Sequence, residues 1–206
     1  KRNDIGSTCG AYSSAYLGRV DLLGVKTPLF DFDAITVNSY LGYEGIEPFL
    51  KDCSLYGKGI FSLVKTSNKG SLEFQGVMTD NGPNYSVMGH LVSEWGKSLT
   101  GSSGYSSAGA VVGATFPHEA KLLREEMKNS FFLVPGYGAQ GGGAEGVVSC
   151  FNPDGCGAII NSSRAIMYAY MKENDSRNYK KHARDEALRM KKEITDELQK
   201  KGICRW

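Results

Sequence analysis

The chain opens with a lysine and a carboxylate three residues apart, Lys1 and Asp4 in "KRNDIGST". Such a pair is either an ordinary surface ion pair or, at the end of a buried strand, a cation flanked by carboxylates and aimed at developing negative charge. Spacing alone leaves both readings open. Three further stretches set polar groups directly behind apolar runs. "LVKTSNKGS" supplies Thr66, Ser67 and Asn68, and "FFLVPGYGAQGGG" sets Gln140 among five glycines. Glycine loses more conformational entropy on ordering than any other residue, so the cluster is either a plain turn or a place where backbone approaches a ligand. "GAIINSSRAI" brings Ser162, Ser163 and Arg164 to a helix start. An arginine there opposes the helix dipole, and an anion resolves the conflict, because backbone N–H groups, a guanidinium fork and an amide can converge on phosphate. The plainer alternatives are helix-capping serines and a surface ion pair for Arg164. Placed together at the ends of the last two apolar runs, these residues mark a candidate phosphate site. His90, His118 and His182 show no ligand spacing and read as surface or helix-packing residues.

The elements that must position these groups repeat one grammar. Apolar runs at 33–38, 59–67, 108–115, 131–136 and 157–163 have the length and β-branched content of parallel strands buried on both faces. Helical patterns at 8–23, about 43–53, about 85–98, 117–129 and 164–173 alternate with them. Pro117 and Glu119 mark one helix start. Strands alternating with helices predict a parallel α/β fold, whose ligands gather at the C-terminal ends of the strands. Residues 76–107, with Gly/Ser-rich flanks, read as an insertion-like excursion within a single domain spanning 1–206. The tail 179–201 reads as a charged helix with Ala183, Ala187, Met190, Ile194 and Leu198 on its packed face and Gly202 beyond its end.

Composition narrows the function classes. With 206 residues, 41% hydrophobic and 22% charged, the chain can bury a core of ordinary size. A net charge of +2 does not point to nucleic acid or an acidic membrane surface. No apolar run reaches the roughly 20 residues that span a bilayer, and no signal peptide pattern opens the chain. Five scattered cysteines without a CxxC pair favour reduced thiols and a cytoplasmic location. The chain starts at Lys1 without methionine, so an N-terminal part of the natural protein is expected to precede it.

The motifs carry a resemblance. "KRNDIGST" resembles the second half of the D-x-K-x-x-D-I-x-x-T signature of the orotidine 5′-phosphate decarboxylase family. "DAITVNSYLG", "LVKTSNKGS", "GAVVGAT", "FFLVPGYGAQGGG" and "GAIINSSRAIMYAY" follow in the order of its longer bacterial-type branch. The resemblance covers nearly the whole chain and is weakest in 76–107 and the tail. P-G-x-G-A-Q-G-G followed by S-R is the specific combination; D-x-K-x-x-D is shared with sugar-phosphate enzymes of the same superfamily.

The resemblance implies a TIM (β/α)8 barrel that converts orotidine 5′-monophosphate to UMP without metal or organic cofactor. It makes Lys1 the catalytic lysine that protonates C6, and Asp4 the aspartate that reaches the partner subunit's site in a homodimer. Ile5 and Thr8 match residues lining that same partner site. Ser67 matches a serine contacting the pyrimidine, Pro135 a loop residue beside the ligand, and Gln140 and Arg164 the pair that grips phosphate. The glycines then serve a loop that folds over the phosphate. The sequence also departs from the pattern: Asn3 stands where a glycine is expected, and the first signature aspartate would fall two residues before Lys1. Five strands do not close an eight-stranded barrel, so the first strands are expected upstream. Two other readings remain: a Mg2+-dependent sugar-phosphate lyase or decarboxylase of the same superfamily, and a non-catalytic phosphate-binding remnant.

Overall fold

The computed structural model describes residues 5–138, 141–172 and 174–203. Lys1, Asp4 and Gln140 lie outside the described residues. Helix α1 (Gly6–Tyr16) leads into a hairpin of β1 (Val20–Leu22) and β2 (Val25–Thr27), then into β3 (Ala34–Val37). Next come α2 (Tyr43–Tyr56), β4 (Gly59–Lys65), the short ladder of β5 (Met78–Thr79) with β6 (Gly82–Pro83), α3 (Asn84–Gly96) and β7 (Ser106–Val112). The chain continues through α4 (Pro117–Glu126), β8 (Ser130–Pro135), α5 (Ala144–Val148), β9 (Ala158–Asn161), α6 (Ser163–Met167) and α7 (Tyr179–Lys200).

The five long-range strands form one parallel sheet in the order β3-β4-β7-β8-β9. Each new strand adds beside its predecessor in the same direction. A doubly wound sheet reverses its strand order at a switch point, so sequential addition is the pattern of a barrel wall.

Helices cover one face of the wall. Val64, Ala110, Val112, Phe132 and Val134 pack there with Val92 of α3, Leu123 of α4, Val147 of α5 and Met190, Ile194 and Leu198 of α7. A second cluster joins Cys9 and Leu17 to Ile46, Phe49 and Cys53 of α2 and to Ile60 of β4; Trp95 packs against both. The expectation of strands buried on both faces holds for β7 alone. Along β8 buried and half-buried residues alternate, and Ile159 of β9 is 48% exposed. One face meets helices, while Phe61, Gly109, Phe131 and Ile159 of the other line a hollow of about 160 Å3.

Several boundaries differ from the sequence reading. The helix expected over 8–23 stops at Tyr16, because a tight turn through Leu23 (φ 56°) and Gly24 (φ 86°) folds 20–27 into a hairpin. The helix expected over 164–173 ends at Met167 and continues as a 3-10 turn, Ala169–Met171. The stretch 76–107 holds α3, whose Val92 is buried against the sheet. On α7 the apolar face is buried from Met190 onward, whereas Glu186, not Ala187, is turned inward.

The end of the wall where the strands start is closed by Arg124. Its guanidinium lies 3.5 Å above the Phe132 ring and donates to the carbonyls of Cys150 (2.9 Å), Met127 (2.8 Å), Ser130 (2.9 Å) and Gly157 (3.1 Å). Burial draws its pKa down to about 10, which keeps it charged at neutral pH. A cleft of about 860 Å3 opens beside it, between Tyr105, Lys128 and Asp154. In a barrel this end serves stability, while chemistry gathers at the strands' C-terminal ends.

Candidate active site

At those C-terminal ends, the expected strands stop earlier than their apolar runs. β4 ends at Lys65 and β7 at Val112, which frees Thr66, Ser67, Gly113, Ala114 and Thr115 as loops. A bulge precedes this end: Leu63 pairs with Val111, yet Lys65 pairs with Val112. The extra residue turns Lys65 toward the helices, where it is fully buried with no hydrogen-bond partner for Nζ. Its ammonium lies 4.1 Å from the Phe116 ring and 5.2 Å from that of Tyr85 on α3, and burial lowers its pKa. Sequence reasoning passed over this lysine, because its apolar neighbours show only that a strand is present.

Ser67 is held from three sides. Gln75 bridges the preceding residue, accepting from the Thr66 N–H at 2.9 Å and donating to its hydroxyl at 2.9 Å. The Thr115 hydroxyl donates to the Ser67 carbonyl at 3.1 Å. The N–H of Gly113 donates to the Lys65 carbonyl at 2.7 Å, and a Cβ at Gly113 would lie only 2.7 Å from the Ser67 nitrogen. Only glycine permits that approach.

The next strand end is locked to the same place. Pro135, the last residue of β8, pairs with Asn161 of β9, and its carbonyl accepts from the Ala114 N–H at 2.9 Å. The glycine-rich loop begins here. Gly136, Gly138 and Gly141 have φ of 99°, 75° and 92°, a region that side chains disfavour. Gly138 donates to the Gly142 carbonyl at 2.8 Å, and a Cβ at Gly142 would lie 2.7 Å from that of Ala114. The glycines therefore serve a tight loop seated on the end of β7.

Arg164 is exposed in the first turn of α6, one residue after Ser163. Ser162 occupies the capping position but does not cap: its buried hydroxyl donates to the Tyr137 carbonyl at 2.9 Å. That bond joins the glycine-rich loop to the helix bearing Arg164. Ser67, Pro135 and Arg164 thus lie on one continuous line of contacts along the strand ends. Ile5, the residue before α1, and Thr8 in its first turn are not joined to that line by the described contacts. Among the described residues no group of three or more His, Cys, Asp or Glu could hold a metal ion. None of the described helices is long and apolar enough to cross a membrane.

A profile for the orotidine 5′-phosphate decarboxylase / HUMPS family matches residues 1–179. The chain belongs to this family. An orotidine 5′-phosphate decarboxylase from Caldicellulosiruptor bescii is 52% identical over 170 residues, covering 82% of this chain and 56% of that protein. The one from Rhodopirellula baltica is 42% identical over 199 residues, covering 94% of this chain and 65% of its own. The crystal structure of a Toxoplasma gondii protein provisionally described as an orotidine-monophosphate decarboxylase matches with a TM-score of 0.71 at 31% identity, covering 94% of this chain and 67% of that one. The five-stranded wall is accordingly part of a TIM-type barrel, as the resemblance implied. The chain spans 56% of the length of the Caldicellulosiruptor relatives it matches.

Proposed function

We propose that the protein decarboxylates orotidine 5′-monophosphate to UMP in pyrimidine biosynthesis. The observation that carries this reading is the Ser162–Tyr137 bond, which sets the glycine-rich loop against the Arg164 helix as a phosphate grip requires. Ser67, pinned one strand over from β7, is then in line to meet the pyrimidine. The leaving electron pair at C6 is a poorly stabilised carbanion, so acceleration must come from charge held ready before the reaction. Lys1, with Asp4 and other carboxylates keeping it protonated, supplies that charge and the proton. Binding energy from the remote phosphate drives loop closure and water exclusion. No metal or organic cofactor enters this scheme, so turnover should survive exhaustive EDTA treatment. Metal-dependent turnover would move the assignment to the sugar-phosphate lyase reading.

Ile5 and Thr8, with Asp4, are assigned to a neighbouring subunit's site in a homodimer on the family resemblance of "KRNDIGST". Each complete site then needs two chains. Lys1→Ala and Asp4→Ala proteins, each nearly inactive, should complement when mixed, with about a quarter of all sites intact at random exchange. No recovery after proven subunit exchange would put both residues in one chain's site. Cys53, Cys150 and Cys156 stand outside any disulfide, which suits a reducing, cytoplasmic setting.

The phosphate assignment is tested by Arg164→Ala. Loss of a charge-assisted fork should weaken UMP and substrate together by about 2–5 kcal/mol and leave the unphosphorylated nucleoside nearly indifferent. Equal losses for nucleoside and nucleotide would refute it.

A further inference from the structure

Tyr137 sits between two left-handed glycines, Gly136 and Gly138, at the root of the glycine-rich loop. Its neighbours leave the backbone free to swing, yet Tyr137 itself is only 5% exposed and its ring packs in the main core. The hydroxyl donates to the Glu193 carboxylate on α7 at 2.7 Å. Burial, reinforced by Glu193, pushes that hydroxyl's pKa up to about 12, so it remains a donor at neutral pH. The other Glu193 oxygen accepts from Arg189. Arg189 also grips Glu186 through two bonds, at 2.6 and 3.0 Å, and Glu186 takes Lys172 at 3.4 Å.

This arrangement joins both halves of the candidate phosphate site to one helix. The loop after β8 is tied to α7 through Tyr137 and Glu193. The segment after α6, which carries Arg164, is tied to α7 through Lys172 and Glu186. Arg189 couples the two carboxylates, and the Ser162–Tyr137 bond closes the circuit on the site side. We infer that Tyr137 and Glu193 form a latch by which the C-terminal helix positions the phosphate-gripping loop against Arg164. Tyr137 is thus a positioning residue for the phosphate. The inference rests on the decarboxylase reading above and adds to it a part played by α7, which lies outside the strand ends.

The test uses the whole protein and its Tyr137→Phe, Glu193→Ala and Glu193→Gln variants, with Arg164→Ala as a control. Phenylalanine keeps the ring in the core, so the melting temperature should stay close to wild type. Tyr137→Phe and Glu193→Ala should each raise the Kd of UMP and the KM of orotidine 5′-monophosphate about tenfold, the scale of one net hydrogen bond, with kcat nearly unchanged. Uridine binding should be unaffected. Glu193→Gln retains an acceptor for the tyrosine hydroxyl and should recover most of the affinity. The Tyr137→Phe/Glu193→Ala double variant should be no worse than either single one. Unchanged UMP affinity in Tyr137→Phe, alongside weakened affinity in Arg164→Ala, would overturn the latch and leave the function standing. So would equal losses for uridine and UMP, or a fall in melting temperature without a change in UMP binding. A whole protein that neither binds UMP nor turns over the substrate would overturn the function reading, and the latch with it.

Discussion

Gly113→Ala introduces one methyl group at the point where the ends of β4 and β7 touch. That methyl would lie 2.7 Å from the Ser67 nitrogen and 2.8 Å from its Cα and Cβ, where ordinary contact begins at 3.4 Å. The Ser67 segment must therefore retreat by about 0.7 Å, because backbone atoms cannot rotate aside as a flexible side chain can. Retreat is resisted by the Gly113–Lys65 bond at 2.7 Å, the Thr115–Ser67 bond at 3.1 Å and the Gln75 bridge to Thr66. Overpacking of this kind costs about 1–3 kcal/mol of stability. A misplacement near 1 Å costs about a hundredfold in rate, so a shift of this size predicts a loss of about ten- to fiftyfold in kcat/KM. The assay is initial-rate decarboxylation of orotidine 5′-monophosphate, with the folded fraction checked by circular dichroism. UMP binding through Arg164 should weaken far less than turnover. If kcat/KM stays within about twofold of wild type in a folded variant, Ser67 is not positioned for chemistry by this contact.

Two other perturbations test what supports the site. Arg124→Met removes the charged donor from four carbonyls; those of Met127 and Gly157 keep backbone donors in Ser130 and Phe132. The expected loss in urea unfolding is about 3–5 kcal/mol, and a loss below about 1 kcal/mol would contradict the clamp. Glu186 is held below its ordinary pKa of 4.5 chiefly by the Arg189 hydrogen bonds. A depressed carboxylate contributes stability that is fully present above its unfolded pKa and is lost as pH falls through the folded value. Melting temperature should therefore fall on acidification below about 4.5 and fall less steeply in Glu186→Gln; equal slopes would remove Glu186 from the account.

The parallel order, the five strands and the polar groups behind them were legible because each apolar run is followed at once by residues that cannot stay in a strand. "LVKTSN" and "FFLVPG" show where the strand-end loops begin, though their strands stop two residues and one residue early. The bulge at the end of β4 was not legible, since "LVK" looks the same with or without an extra residue in the ladder. Nor was the hairpin at 20–27. Its turn places a non-glycine, Leu23, at positive φ, and "YLGRVDLLG" carries a plausible helical spacing. The latch was hidden for another reason. Tyr137 and Glu193 are 56 positions apart, and neither residue type marks its neighbourhood as special. Arg164 was legible as an anomaly, a cation at the wrong end of a helix. For Ser162 capping was the plainer of two open readings, and the structure removes it, because the hydroxyl donates to the Tyr137 carbonyl instead.

The bulge in β4 works as a parity switch. In a strand, side chains alternate between faces, so one additional residue exchanges the faces of everything downstream. Upstream of it, Phe61 and Leu63 belong to the half-exposed face and Ile60 and Ser62 to the buried one. Downstream, Lys65 falls in step with Val112 on the helix side. Deleting a single codon at Val64 would make Leu63 and Lys65 neighbours opposite Val111 and Val112, a regular ladder that keeps Lys65 on the helix side. A ladder that kept Val64 but lost the bulge would instead set Val64 opposite Val112 and turn the Lys65 side chain to the interior face. Such a strand would keep every residue of its sequence and hold a cation inside the barrel, so the spare residue is what keeps Lys65 out of it.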